Sequence, residues 1–95
     1  MNCSRVIFSQ HAFVRMFARG IMPELVVRAV RSGEVIAEYP DDRPFPSFLL
    51  LYFEQGKPLH VVVGKDKSDE ACYIVTVYEP DAELWNEDFR SRRKK

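Results

Sequence analysis

The sequence predicts an α+β fold: a helix pair at the N-terminus on one face of a four-stranded antiparallel sheet, with a short C-terminal helix. Three observations predict it. Apolar residues recur at helical spacing between Ser9 and Gly33, then give way to strand-like runs from Glu34 to Tyr78. Those four runs follow one another with short connections, for which an antiparallel meander is the simplest topology. The 95 residues suffice for one core and are too few for two, so residues 1–95 read as a single domain.

The elements follow in order. Arg5–Phe8 is short and apolar, either a small edge strand or a lead-in packed under the first helix. Ser9 is a helix-starting residue and Gly20 a helix-stopping one, which bounds a helix ending near Arg19. Phe13 and Phe17 stand one turn apart, as do Ala12 and Met16, and together they predict a wide apolar stripe. His11, Arg15 and Arg19 stack along a neighbouring face at i, i+4 spacing. Pro23 suits the first turn of a second helix and Glu24 its positive end, with Leu25, Val26, Ala29 and Val30 on the inner side and Gly33 at the stop.

From Glu34 the period becomes that of strands. Glu34–Tyr39 alternates, and the three prolines of residues 40–46 exclude regular structure there. Ser47–Phe53 is a continuous apolar run, Gln55-Gly56-Lys57 a hairpin turn, Leu59–Val63 a third strand and Ala71–Tyr78 a fourth. Asp81 is placed to cap a short helix in which Trp85 and Phe89, one turn apart, pack back onto the domain.

Composition excludes several classes. The formal net charge is zero, so no global field draws the chain to nucleic acid. Arg90, Arg92, Arg93, Lys94 and Lys95 nevertheless crowd the C-terminus, either as a solvated, mobile tail or as an arm that steers RNA. No run has the length of a membrane span and the N-terminus lacks an apolar signal core, so a cytoplasmic protein away from membranes is expected. Cys3 and Cys72 fit neither a zinc pattern nor a disulfide framework, and Cys72 reads as a buried small apolar residue. No metal site and no cofactor are expected.

The motif order Ser9-x-His11-Ala12-x-x-Arg15-Met16-x-x-Arg19-Gly20-Ile21, then Gly33–Ile36, Tyr39-Pro40, Pro58–Val62 and Tyr78-Glu79-Pro80 resembles a bacterial family, domain-of-unknown-function family 4258. The likeness runs from about Ser9 to Phe89. One departure is Met22, where the family commonly has Ser or Thr. The resemblance implies membership of the RelE-like toxin superfamily. It further implies the toxin of a type II toxin–antitoxin system, a metal-independent endoribonuclease (mRNA interferase) acting on RNA, paired with a zinc-finger plus helix-turn-helix antitoxin. The same group includes proteins that inhibit a topoisomerase and cleave nothing, so a non-enzymatic toxin or protein-interaction module is the alternative.

Metal-free RNA cleavage needs a base for the 2′-hydroxyl, cations for the charge growing on phosphorus and an acid for the departing 5′-oxygen. Histidine titrates in the right range, and arginine grips phosphate in fork geometry. Matched onto this chain, His11, Arg15, His60 and Tyr78 are the catalytic candidates, with Arg19, Glu34, Arg90, Arg92 and Arg93 as substrate-binding ones. Each has a plainer alternative. His11 caps its helix, Arg15 and Arg19 form surface pairs with Glu34 or Glu38, and His60 is a half-buried histidine bonded to a neighbour. Tyr78 packs with its hydroxyl wet, and Tyr39, Phe45, Phe48 and Tyr52 either stack bases or fill the core.

Overall fold

The computed structural model describes residues 1–94; Lys95, the end of the basic tail, lies outside the described residues. The chain runs β1 (Val6–Phe8), α1 (Gln10–Ala18), α2 (Pro23–Ser32), β2 (Glu34–Tyr39), β3 (Ser47–Glu54), β4 (Lys57–Lys65) and β5 (Cys72–Tyr78). The strands form one sheet in the order β1-β5-β4-β3-β2. β2, β3, β4 and β5 pair antiparallel, and β1 pairs parallel with β5, Val6 opposite Cys72.

Local chemistry explains most boundaries. The Ser9 hydroxyl accepts from the Ala12 amide at 3.0 Å and caps α1. At the other end Gly20, at φ +69°, closes a Schellman motif: its N–H donates to Phe17 and that of Ile21 to Met16, while Met16 and Ile21 are both buried. α2 opens at Met22 without a side-chain cap, but Pro23 needs no partner there and Glu24 meets the helix dipole. Gln55 and Gly56, both at positive φ, make the two-residue turn between β3 and β4.

Both helices cover the same face. Met16, Ile21, Val26, Ala29 and Val30 meet Leu50, Val61, Val63, Ile74 and Val77 in a core from which water is excluded. Gly33 lets α2 end directly over β3: a Cβ there would lie 2.4 Å from the Ala29 carbonyl oxygen and 3.0 Å from that of Leu51. No helix among the described residues is long and apolar enough to cross a membrane.

The expected architecture is corrected in three places. The sheet is five-stranded and mixed, not four-stranded and antiparallel, because Val6–Phe8 joins its edge. The helices accordingly follow a first strand instead of starting the fold. Three residues show no periodicity, and their partner is the last strand of the chain. The C-terminal helix is also absent among the described residues. The Asp81 carboxylate accepts from the Glu83 amide, the Leu84 and Trp85 amides return to the Asp81 carbonyl, and the turn goes no further. Finally, Cys3 and Cys72 are joined by a disulfide. The β1–β5 pairing brings them together, with Ser4 donating to the Glu70 carbonyl and Cys72 to that of Arg5. Cys72 is buried, as expected.

Candidate functional site

Strand register gathers three of the candidate residues into one row. Glu34 on β2 lies opposite Leu51, Leu51 opposite His60, and His60 opposite Tyr78. Paired residues point to the same side of a sheet. Val61 and Val77, the next pair along, face the helices, so this row faces away from them.

His60 is completely buried in that row. Its Nε2 lies 2.9 Å from the Phe89 carbonyl oxygen and its Nδ1 3.2 Å from the Tyr78 hydroxyl. A carbonyl oxygen only accepts, so Nε2 carries the proton; Nδ1 is then an acceptor and the tyrosine donates to it. The Trp85 ring stands edge-on to the imidazole at 4.5 Å. Burial lowers the His60 pKa below the usual histidine value, and burial raises that of Tyr78 above the usual phenol value. Both ring nitrogens of this buried histidine are therefore hydrogen-bonded.

What covers it is the segment after β5. Arg90 donates from Nη2 to Glu34 at 2.7 Å and from Nε to both carboxylate oxygens at 3.1 Å. The guanidinium holds the Glu34 carboxyl below its usual pKa. Arg92 lies 5.5 Å from the centre of the Trp85 ring, and Arg93 donates to the Ala82 carbonyl at 2.8 Å. The Phe89 ring meets Phe53 edge-on. Of residues 90–93, expected as part of a mobile tail or an RNA-steering arm, Arg90 is bonded to β2, while Arg92 and Arg93 are bonded within their own C-terminal segment. Glu34 and Arg90, both expected to bind substrate, bind each other.

The helix row is arranged differently. His11 and Arg15 are exposed, and neither side chain has a hydrogen-bond or ion-pair partner among the described residues. His11 is not the cap of α1, since Ser9 fills that role. Arg19 leaves the row and donates from Nη1 to the Val77 carbonyl at 2.6 Å. It then lines an open cleft with Ile21, Tyr78 and Glu79. Thus Arg19 reaches the end of β5 from the helix side while His60 holds Tyr78 from the other. Among the described residues no group of three or more His, Cys, Asp or Glu side chains is placed to hold a metal ion.

Sequence reasoning missed two features of this surface. The Glu34–Arg90 pair joins residues far apart in the chain and carries no local signal. The exposure of Phe13 and Phe17 did leave one: apolar residues on α1 cover more of its circumference than one buried stripe occupies. Tyr39, Phe45, Phe48 and Tyr52 are distributed between edge and packing positions, and Phe45 stacks on Tyr73 at 5.1 Å.

A family model described as domain of unknown function (DUF4258) matches residues 8–79, and the chain belongs to that family. The match includes α1, His60 and Tyr78; Cys3 and the covering segment with Trp85, Phe89 and Arg90 lie outside it. No curated protein and no solved structure matches the chain.

Proposed function

We propose that this DUF4258 member is the toxin of a type II toxin–antitoxin system, within the RelE-like superfamily, and that it acts as a metal-independent endoribonuclease through the exposed row on α1. The observation that carries this reading is that His11 and Arg15, one turn apart, face solvent with no partner among the described residues. An unprotonated imidazole at His11 takes the proton of the RNA 2′-hydroxyl, and that oxygen attacks the adjacent phosphorus. The guanidinium of Arg15 holds the non-bridging oxygens as their charge grows. The bond to the 5′-oxygen breaks, leaving a 2′,3′-cyclic phosphate, and water supplies the proton to the departing oxygen. Arg19 and Tyr78, each already bonded, shape the cleft alongside. His60 moves from the catalytic set to the scaffold.

A second reading is favoured by the same burial of His60. With that histidine and Tyr78 bonded to each other, the surface is better equipped to bind than to transfer two protons. On this reading the chain is a non-enzymatic toxin or interaction module that blocks a target such as a topoisomerase. Incubation of the purified chain with end-labelled single-stranded RNA in EDTA decides between them. Products ending in 2′,3′-cyclic phosphate, lost in His11→Ala, support the ribonuclease. Growth arrest with intact RNA supports the binding module.

A further inference from the structure

Cys3 and Cys72 stand apart from the residues that the proposed function uses. Their disulfide ties the segment before β1 to the first residue of β5, across a Cα–Cα distance of 5.6 Å. The two ends of the bond differ in access. Cys72 is fully buried, whereas Cys3 is half-buried and lines an open cleft with Asn2, Ser4 and Glu70. A thiolate from solvent therefore reaches the Cys3 sulfur and not that of Cys72.

What the bond holds is a weak element. β1 has three residues, all half-buried, and lies at the edge of the sheet beside β5. The buried core is built from α1, α2, Ile21 between them, and β3 to β5, while Val6 and Phe8 of β1 only pack against it. The family match begins at residue 8, so Cys3 and most of β1 precede it. At one end β1 runs into the Ser9 cap of α1; at the other the disulfide is its covalent hold. Pinned at both ends, so short a strand docks as an intramolecular event; pinned at one end, it frays.

We propose that Cys3 is a thiol-exchange site, and that exchange there with a low-molecular-weight thiol unfastens β1 from β5. The thiolate attacks Cys3 Sγ, the bond to Cys72 breaks, and the Cys72 sulfur leaves with the electron pair and takes up a proton. A second thiolate attacks the small-molecule sulfur of the mixed disulfide and releases Cys3, which is protonated to the thiol. One protein disulfide is reduced, and two small thiols are oxidised to their own disulfide. The Cys72 thiol so formed sits in the core as a small apolar side chain, with the Glu70 carbonyl oxygen 4.0 Å from its sulfur. The segment is then held by backbone bonds, such as Ser4 to Glu70 and Cys72 to Arg5, and by the exposed Arg5–Asp69 pair. Which state prevails is set by the thiol poise around the chain. The exchange is independent of what α1 acts on.

The test treats the folded chain with reduced glutathione and follows the cysteines by alkylation and intact mass. The chain is expected to pass through a glutathione adduct on Cys3 and to end with two free thiols. Trypsin then cuts after Arg5 about tenfold faster or more, and the Ser4 and Cys72 amides lose exchange protection by a similar factor. The Val61 amide in the core and the emission of Trp85 stay as they were, and oxidised glutathione reverses every change. Cys3→Ser shows the loosened β1 without any thiol, and circular dichroism verifies that it keeps the fold. Reduction that needs denaturant overturns the proposal, because Cys3 is then out of reach. So does a reduced chain in which Arg5 resists trypsin as before, since β1 then docks without the bond. Core amides that lose protection together with those of β1 overturn it as well, the disulfide being in that case a staple of the whole fold.

Discussion

The Nε2 atom of His60 lies 2.9 Å from the carbonyl oxygen of Phe89, so the middle strand of the sheet is bonded to a segment with no regular secondary structure. This bond fixes the imidazole tautomer, places Trp85 against the ring and brings Arg90 to Glu34. His60 is thereby tied into the fold through both ring nitrogens.

Replacing His60 should cost stability and not chemistry. His60→Ala leaves a cavity, strips Phe89 of its donor and Tyr78 of its acceptor, a loss of about 2–4 kcal/mol. Tyr78→Phe removes only the hydroxyl and should cost about 1–2 kcal/mol through the unpaired Nδ1. Urea unfolding measures both, with Trp85, the single tryptophan, as reporter.

Acid should weaken the same contact. Burial places the His60 pKa in the fold below its unfolded value near 6.5, so the unfolded chain takes up the proton first. The stabilisation is full above about pH 6.5 and is lost as pH falls through the folded value, at up to about 1.4 kcal/mol per pH unit. The surrounding charges are Arg92 over Trp85 and the Glu34–Arg90 pair with Asp88 beside it, and Tyr78 stays neutral throughout. Unfolding free energies measured from pH 8 to pH 5 should show this fall, and His60→Gln should remove it.

Gly33→Ala should destabilise by about 2 kcal/mol or more, because both neighbours of the new Cβ are backbone carbonyls that cannot swing aside. Gly56→Ala probes a different cause, since its Cβ meets nothing within 4 Å and the penalty is the positive φ alone. Thermal unfolding of the two variants, expected to be more severe for Gly33→Ala, compares steric with conformational cost.

Much of this arrangement is legible in the sequence. Ser9, Gly20, Pro23 and Gly33 mark the helix ends through local backbone chemistry, and the alternation of Glu34–Tyr39 and the apolar runs that follow it to Tyr78 mark the strands. Alternation also sets His60 opposite Leu59 and Val61, although not that a further segment buries it. What is illegible depends on contacts between distant parts of the chain: the three residues of β1 on β5, Cys3 on Cys72, Arg90 on Glu34 and Phe89 on His60. Composition shows that five basic residues end the chain; it does not show that Arg90 to Arg93 find partners. The apolar residues of α1 cover more of its circumference than one buried stripe needs, but which of them stay in water, Phe13 and Phe17, is set by how α1 lies over β5.

RNA cleavage in EDTA by Arg15→Ala, measured beside its melting temperature, tests whether the α1 row holds the scissile phosphate. An exposed arginine with no partner among the described residues contributes little to folding, whereas a guanidinium on the scissile phosphate is worth on the order of a hundredfold in rate. A loss of that size at unchanged melting temperature is expected, with poor rescue by Arg15→Lys, which cannot reproduce the two-pronged grip. Wild-type cleavage by Arg15→Ala, or loss of activity only in step with a lowered melting temperature, would contradict it.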